Sequence, residues 1–350
     1  MIKIAEIWGQ SFDIVASELE QTTEGVSEIV LDFLNEVRYV LDRPSYNKIL
    51  EIAKQKNIPI TILTPYLREM PPLMEYSDNV KIIHWETFWF NRTYKSWSYH
   101  DDYNKQKNLE MFNPRNGEFL NDFKFPYITL NNIAKYHRCL VMDLLAKHNL
   151  IDTGAIAWRD ILRSCDDIRH TFPEGMTDSM YMKYPYRYWK PKRLILDQNI
   201  DDKFNQETLP IEFNQSFMQL VTESDEEVVF FSEKTATPIL LNKPFLVASC
   251  SGHHTALLNR GFALYDEIFD YSFDNESDIN IRYDGLIENI KRLHSMDLNK
   301  AYKRIFEKLV YNKQRAIELM TNVPTEVLSL LERIRAENKE PYSGPLNMLL

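Results

Sequence analysis

Four consecutive residues in the second half of the chain combine side chains that a phosphate or sugar site uses. Ser232, Glu233, Lys234 and Thr235 follow one apolar run and precede another at 244–247, which indicates a strand, a helix and a second strand. In open α/β folds, ligands bind outside the carboxyl ends of strands, and a helix N-terminus favours phosphate. Lysine neutralises phosphate, and glutamate accepts hydrogen bonds from a diol such as ribose. The stretch therefore predicts half of a nucleotide-sugar site. A capping box, in which Ser232 caps the helix and Thr235 or a nearby side chain closes the turn, explains it equally well.

The composition is that of a globular protein with two domains. The chain has 350 residues, of which 44% are hydrophobic and 26% charged, and this length exceeds one ordinary core. No run of about 18 apolar residues indicates a membrane span, and the first residues alternate like a strand instead of forming a signal-peptide core. Three widely separated cysteines are typical of a reducing cytoplasm and exclude a Cys-rich zinc site. The net charge of −10 argues against sequence-independent nucleic-acid binding as the main task, although it permits a local basic groove.

Common phosphate-binding patterns are missing from the sequence. It contains nine glycines but neither G-x-G-x-x-G nor G-x-x-x-x-G-K-[ST], which argues against a dinucleotide-binding Rossmann fingerprint and a P-loop. It also lacks an Asp-x-Asp pair, the usual handle for a divalent ion that bridges a sugar-nucleotide pyrophosphate. We therefore expect no metal site, and we expect basic side chains and helix ends to hold any bound phosphate.

Hydrophobic patterns divide the chain into two α/β series. Strands alternate with helices over 1–125 and again over 126–300, which predicts two domains with parallel sheets, followed by C-terminal helices and a tail over 301–350. Strands are predicted at 27–33, 58–63, 80–85, 127–130, 155–158, 217–222, 228–231 and 245–248, and helices at 44–56, 133–148, 254–259 and 286–334.

The second series resembles the C-terminal donor domain of a known enzyme family over about a third of the chain. The matching segments are Tyr127-Ile128-Thr129-Leu130-Asn131-Asn132 leading to Arg138, Leu150-Ile151-Asp152-Thr153-Gly154, the strand 217–222 ending in Glu223-Ser224, Phe230-Phe231-Ser232-Glu233-Lys234, and Lys243-Pro244-Phe245-Leu246-Val247. In order and spacing they resemble the α1,3-fucosyltransferases, which are inverting glycosyltransferases of the GT-B architecture. The segment 217–274 also resembles uncharacterised glycosyltransferase-like proteins of bacteriophages and other large DNA viruses.

Two positions depart from the fucosyltransferase pattern. Glu223-Ser224 lacks the asparagine of the family's Glu-Asn-Ser, and Phe230 replaces a tyrosine. Both family residues make polar contacts to the guanosine diphosphate donor, so the departures leave the donor base and sugar open.

The resemblance implies a GT-B-like fold with two Rossmann-like domains, a cleft between them and C-terminal helices. The donor-binding residues that it implies are Arg138, Glu223, Ser232, Glu233, Lys234 and Thr235. Glu233 would bind the ribose, while Lys234 and Arg138 would hold the diphosphate. The co-substrate would be a nucleotide diphosphate sugar, with no other cofactor, and cationic side chains would stabilise the leaving diphosphate without a metal.

An inverting transferase also needs a base that deprotonates the acceptor hydroxyl. In GT-B enzymes this base belongs to the N-terminal domain. Glu86, directly after one strand, is the first choice, and Asp32, near the end of another, is the second. The acceptor would be a glycan or a hydroxymethylated pyrimidine in viral DNA, and the enzyme would act in the cytoplasm, that of the host if the protein is viral. The alternative is a non-catalytic GT-B-like binding or structural module of a virus.

Further residues have two interpretations each. His253 and His254 follow a strand and a glycine, which suits a ligand loop better than a two-histidine metal site, because adjacent side chains point apart. Asp274 binds sugar hydroxyls or caps a turn, and Arg282 is a further candidate for a phosphate contact. The stretch 181–190 mixes basic and aromatic residues, which suits stacking on bases or sugars but also an aromatic packing cluster.

Overall fold

The protein is an α/β protein with two parallel sheets. A computed structural model describes residues 1–6, 12–34, 44–65, 79–85, 90, 93, 123–131, 135–158, 185–190, 192, 194, 196, 209–224, 226 and 228–338. The chain divides into two compact units. The first comprises the described parts of Met1–Phe88 and Thr321–Leu350, and the second the described parts of Trp89–Thr171 and Asp178–Met320. The predicted α/β class with two parallel sheets is thereby confirmed.

The first unit contains a sheet whose described strands follow the chain order. These are β1 (Ile2–Glu6), β2 (Glu28–Asp32), β3 (Ile60–Thr64) and β4 (Val80–His84), all parallel, with α1 (Phe12–Gln21) after β1 and α2 (Pro44–Lys56) before β3. Because each step moves to the next strand in the same direction, right-handed connections place both helices on one face of the sheet. The stacked rings of Phe12 and Phe33, 5.5 Å apart, pack with Tyr46 between helices and sheet.

The second unit contains a sheet in which the strand order reverses. The elements are β5 (Phe125–Asn131), α3 (Tyr136–Lys147), β6 (Ala155–Trp158), α4 (Ile211–Gln215), β7 (Ser216–Thr222), α5 (Glu233–Leu240) and β8 (Phe245–Ala248). The described strands are parallel in the order β6-β5-β7-β8. The chain therefore moves from β5 to one side and later returns to the other side. In open α/β sheets, the carboxyl ends at such a switch point are where ligands bind.

Helices complete both units. In the second unit, α6 (His253–Asn259), α7 (Ile279–Leu293) and α8 (Leu298–Thr321) follow the last described strand, and α9 (Thr325–Glu337) belongs to the first unit. The residues predicted as helical over 286–334 are helical except at 294–297 and 322–324. Asp297 accepts from the Lys300 N–H at 3.0 Å and so begins a new helix, and Pro324 precedes α9. The helices predicted within 301–350 therefore belong to different units. Within the first unit, Arg333 of α9 pairs with the buried Glu28 of β2.

One predicted strand is wrong, and the other seven agree with the structure to within two residues at each end. The apolar run 228–231 is described as irregular backbone. It is buried like a strand from Val229 onward, but the next N–H, of Ser232, donates to the Glu223 carboxylate at 2.9 Å instead of to a neighbouring strand. Burial without pairing gives the same sequence pattern as a core strand.

Candidate functional site

Basic side chains from two helices converge at the carboxyl end of β7, where the strand order reverses. The ammonium groups of Lys135 and Lys234 donate to Ser224, the first to its carbonyl at 2.6 Å and the second to its hydroxyl at 3.0 Å. Arg138 is only 4% exposed, and its Nη2 donates to the carbonyl of Glu223 at 3.1 Å. Three formal positive charges therefore lie around one short segment, although the side chains come from helices almost 100 residues apart in sequence.

The Glu223 carboxylate ties this segment to the start of α5. Glu223 is fully buried. Its Oε1 accepts from the Ser232 N–H at 2.9 Å and from the Thr235 hydroxyl at 2.7 Å, and its Oε2 accepts from the Ser224 N–H at 2.7 Å and the Ser232 hydroxyl at 2.5 Å. Four donors occupy the lone pairs of both oxygens. In this arrangement Glu223, Ser232 and Thr235 form the framework of the site.

Ser232 is also the N-cap of α5. Its Oγ accepts from the Lys234 N–H at 3.1 Å, in extended backbone geometry, as an N-cap serine does. The side chains of Glu233 and Lys234 form an ion pair that is about one-fifth exposed. Burial raises the pKa of Glu233, but Lys234, the backbone and Arg138 lower it further, so that the pKa lies below its usual range. Glu233 is therefore ionised at neutral pH.

The start of α3 has the features of an anion site. Its N-cap residue is Lys135, in extended geometry, and a lysine side chain has no oxygen that could accept from the first helical N–H groups. His137 and Arg138 lie in the first turn. The helix N-terminus carries a partial positive charge that these basic side chains reinforce. This helix end therefore favours a bound anion.

His137 connects α3 to the segment after β7. Its ring is 1% exposed. Nε2 lies 2.8 Å from the carbonyl oxygen of Glu223, and Nδ1 lies 3.1 Å from a carboxylate oxygen of Glu226. Burial lowers the pKa of His137, and the Glu226 carboxylate opposes that effect.

Of the two predicted bases, the structure describes Asp32. It ends β2 in the first unit, is 2% exposed, and accepts from the Leu34 N–H at 2.9 Å. Its place at the carboxyl end of a sheet strand agrees with the sequence pattern. Glu86 lies outside the described residues.

The two adjacent histidines have different roles. His254 donates from Nδ1 to the Asp274 carboxylate at 2.8 Å, because its Nε2 accepts from the Val247 N–H at 3.1 Å. Asp274 also accepts from the N–H groups of His254 and Thr255, so it caps α6. This agrees with the interpretation that Asp274 caps a turn. The imidazole of His253 packs edge-on against Phe231 with 5.2 Å between ring centroids. Burial lowers the pKa of His253 to about 3, so its ring is neutral.

The remaining candidates are structural or only partly described. Arg282 donates to the carbonyls of Ser249 and Glu276 and so joins α7 to the chain after β8. Of the stretch 181–190, residues 185–190 are described, and Arg187 and Lys190 are exposed. The backbone N–H groups of 187–189 donate to Asp143 of α3.

The structure brings together six predicted donor residues, namely Arg138, Glu223, Ser232, Glu233, Lys234 and Thr235. It adds Lys135, His137 and Glu226, which sequence reasoning missed. For Lys135 and His137 a signal was present, because both flank the predicted Arg138 at the start of a helix that follows a strand. For Glu226 no local signal exists, because its partner lies 89 residues earlier.

The fold and site define an α/β protein with a cluster of Lys, Arg and Glu side chains at the switch point of one parallel sheet. Within the described ranges, no group of three or more His, Cys, Asp or Glu side chains is placed to hold a metal ion. None of the described helices is both long and apolar enough to cross a membrane. Comparisons with protein-family models, curated proteins and solved structures find no match to this chain.

Proposed function

We propose that the protein is a metal-independent, inverting glycosyltransferase of the GT-B type, and that its second unit binds a nucleotide diphosphate sugar. One observation carries the proposal. Lys135, Arg138 and Lys234 converge at the start of α3 and the end of β7, which is the switch point where such sheets bind ligands. Cations and a helix N-terminus at this place suit a diphosphate.

The same groups supply the chemistry of the transfer. As the sugar leaves, negative charge develops on the diphosphate, and preorganised cations stabilise it. Lys234 pairs with Glu233, and a diphosphate that binds Lys234 would leave Glu233 available to the ribose diol. Asp32 or Glu86 is proposed as the base that removes the acceptor proton while the new glycosidic bond forms. The proposed acceptors are a glycan and a hydroxymethylated pyrimidine in DNA.

The direct test is a thermal-shift and calorimetric screen of the common nucleoside diphosphates and their sugars. A ligand at 100 times its Kd stabilises a protein by about 2.7 kcal/mol, which raises Tm by several degrees. We expect Lys234→Met to weaken diphosphate binding about tenfold, because it removes one charged contact. Lys300→Met is the matched control, since that side chain is 85% exposed on α8. Equal binding by wild type and K234M would remove Lys234 from the site.

A second function has its own supporting observation. Glu223, Ser232 and Thr235 satisfy one another, and Lys234 already pairs with Glu233, as in a degenerate fold kept for binding or structure. We therefore retain a non-catalytic GT-B-like module, of a virus for example, as the rival. The absence of any thermal response to nucleotides and nucleotide sugars at millimolar concentration would favour it and contradict the transferase.

A further inference from the structure

One stretch of the sequence concentrates positive charge and aromatic rings in an otherwise acidic chain. The whole chain has a net charge of −10, yet residues 179–196 contain no carboxylate. The same stretch contains five basic residues, Lys183, Arg187, Lys190, Lys192 and Arg193. Such a run of like charges repels itself and is an ordinary solvated loop unless the fold holds it in place. The contacts of its described part therefore decide its interpretation.

The fold anchors the described part of this stretch at three points. The Asp143 carboxylate of α3 accepts from the consecutive backbone N–H groups of 187–189 at 2.8–3.1 Å. The indole of Trp189 is 7% exposed and packs edge-on against that of Trp158, with 4.9 Å between the ring centroids. Backbone hydrogen bonds of 2.9 Å run in both directions between Trp158 and Leu194. The basic side chains are therefore carried by an anchored segment.

The anchored segment exposes one aromatic ring and three cations. Trp189 is buried, whereas Tyr188 beside it is 57% exposed. Arg187, Lys190 and Lys192 are exposed as well, and we call these three cations and Tyr188 the Tyr188 surface. Within the part of the chain that the structure describes, none of the three cations forms an ion pair with a carboxylate. Their charge is therefore available to an anionic ligand.

The Tyr188 surface is anchored to the edge of the sheet that carries the candidate site. Trp158, the packing partner of Trp189, is the last residue of β6, and it pairs in register with Asn131, the last residue of β5. Because the strands are parallel, their carboxyl ends lie at one edge of the sheet. The helix that begins after β5 is α3, which holds 187–189 through Asp143. A ligand on the Tyr188 surface therefore lies on the same unit as the proposed donor site.

An exposed aromatic ring among unpaired cations matches the chemistry of a single nucleic-acid strand. Unpaired bases stack on aromatic side chains, and lysine and arginine neutralise the phosphates. We propose that the Tyr188 surface binds single-stranded DNA, with a base on Tyr188 and phosphates on Arg187, Lys190 and Lys192. A neutral glycan would leave these cations without a partner. The surface therefore favours DNA over a glycan as the acceptor, a choice that rests on the proposed function.

The proposed acceptor chemistry agrees with a surface for an unpaired strand. An enzyme that reacts at a base must take that base out of the stack or act on single strands. The net charge of −10 makes the rest of the protein repel DNA, so binding should depend on this local surface. Each phosphate neutralised on a single strand contributes about 0.7 to the slope of log K against log salt, so three cations give a slope of about −2. The affinity should fall about 15-fold between about 50 and about 200 mM salt.

The test is fluorescence anisotropy of a labelled oligothymidylate of about 20 nucleotides with the full chain, over about 25 to about 200 mM salt. The combined variant Arg187→Gln, Lys190→Gln and Lys192→Gln should bring the salt slope close to zero. Tyr188→Ala should bind about tenfold more weakly, because it loses one stacked base, and should keep the wild-type slope. Tyr188→Phe keeps the ring and should bind like the wild type.

A matched control removes the same charge elsewhere. Lys300, Lys303 and Arg304 are exposed on α8, and their combined change to glutamine gives the protein the same net charge as the first triple variant. We expect its affinity for the oligonucleotide to stay within about twofold of the wild type, because the contacts are local. An equal loss in the two triple variants would show that only the overall charge matters and would overturn the proposal.

The other outcomes separate this surface from the proposed transferase. Tyr188→Ala that binds as tightly as the wild type, or heparin that binds to the Tyr188 surface as tightly as the oligonucleotide, overturns single-stranded DNA as the occupant. DNA binding with the expected slopes, but no thermal response to any nucleotide sugar, supports the Tyr188 surface and contradicts the transferase. A response to a nucleotide sugar without any DNA binding overturns the Tyr188 surface and leaves the transferase with a glycan acceptor.

A second measurement requires no variant. Iodouracil placed in the oligonucleotide forms photochemical cross-links with aromatic side chains that stack on it. Mass spectrometry of the digested protein then identifies the cross-linked residue. We expect the cross-link at Tyr188, since this ring is 57% exposed while Trp158 and Trp189 are buried. Cross-links confined to residues outside 185–192 would contradict the proposal.

Discussion

The strongest stability prediction concerns the buried carboxylate of Glu223. The substitution Glu223→Gln preserves the shape of the side chain but changes its chemistry. An amide has one accepting oxygen and one NH2 group, whereas four donors surround the carboxylate, from the Ser224 N–H, the Ser232 N–H and hydroxyl, and the Thr235 hydroxyl. Two donors therefore face an NH2 group in the variant.

The magnitude follows from this count. Each hydrogen bond to a charged group contributes about 1.5–3 kcal/mol, and a buried donor that loses its acceptor adds a desolvation penalty. Loss of two such bonds costs about 3–5 kcal/mol in the free energy of unfolding. For a unit of about 150–250 residues, 1 kcal/mol corresponds to about 2–4 °C, so Tm should fall by about 6–20 °C.

Amide hydrogen exchange measures the effect locally. A loss of 3–5 kcal/mol accelerates exchange of the Ser224 and Ser232 amides by about 10²-fold to several thousandfold where opening is limited by this network. Glu288→Gln is the control, because Glu288 is half exposed and pairs with Lys291 at i+3, and its effect should stay within about 0.5 kcal/mol. If the Ser224 and Ser232 amides of Glu223→Gln exchange at rates within threefold of the wild-type rates, the framework role of this carboxylate is refuted.

Three further predictions concern other buried charges. Burial lowers the pKa of Lys243 to about 7, below its unfolded value of about 10.4, so wild-type stability should rise from pH 7 to pH 10. The urea concentration at the unfolding midpoint should rise over this pH range in the wild type and stay constant in Lys243→Met. Burial raises the pKa of Asp274, but His254 and backbone N–H groups lower it further, to well below its usual range. The stability that the ionised Asp274 gives the folded protein is therefore lost as the pH falls below about 4. Asp274→Asn should cost about 3 kcal/mol at neutral pH and weaken the acid dependence of unfolding. Arg333→Met leaves Glu28 buried without its cation, and limited proteolysis should cut 325–337 faster, in line with a loss of about 2 kcal/mol.

The sequence predicted the sheets well because parallel strands buried on both faces produce continuous apolar runs. Seven of the predicted strands, including 155–158 and 245–248, appear in the structure. The same rule produced the error at 228–231, since an apolar run records burial and not pairing. The residues predicted as helical over 286–334 belong to three helices, and the helices restart at Asp297 and Pro324.

The candidate site was only partly readable from sequence. The position of Lys234 after an apolar run and before a helix placed it at a strand-to-helix transition, and Arg138 had the same context. The bonds that organise these residues are not local, however. Glu223 reaches Ser232 nine residues later, and His137 meets Glu226 across 89 residues. Such pairs depend on which strands become neighbours, which one sequence does not specify.

The charges at the starts of α3 and α5 differ, and this difference changes the interpretation of the motif Ser232-Glu233-Lys234-Thr235. At the start of α5, Ser232 caps the helix and the Glu223 carboxylate already occupies the place of an anion. A bound phosphate there would meet a buried negative charge, which is unfavourable. At the start of α3, the N-cap residue is Lys135, whose side chain makes no capping hydrogen bond, and Arg138 lies in the first turn. In the proposed site, the motif therefore contributes Lys234 from the side, and the diphosphate is proposed to bind at the helix end that follows β5.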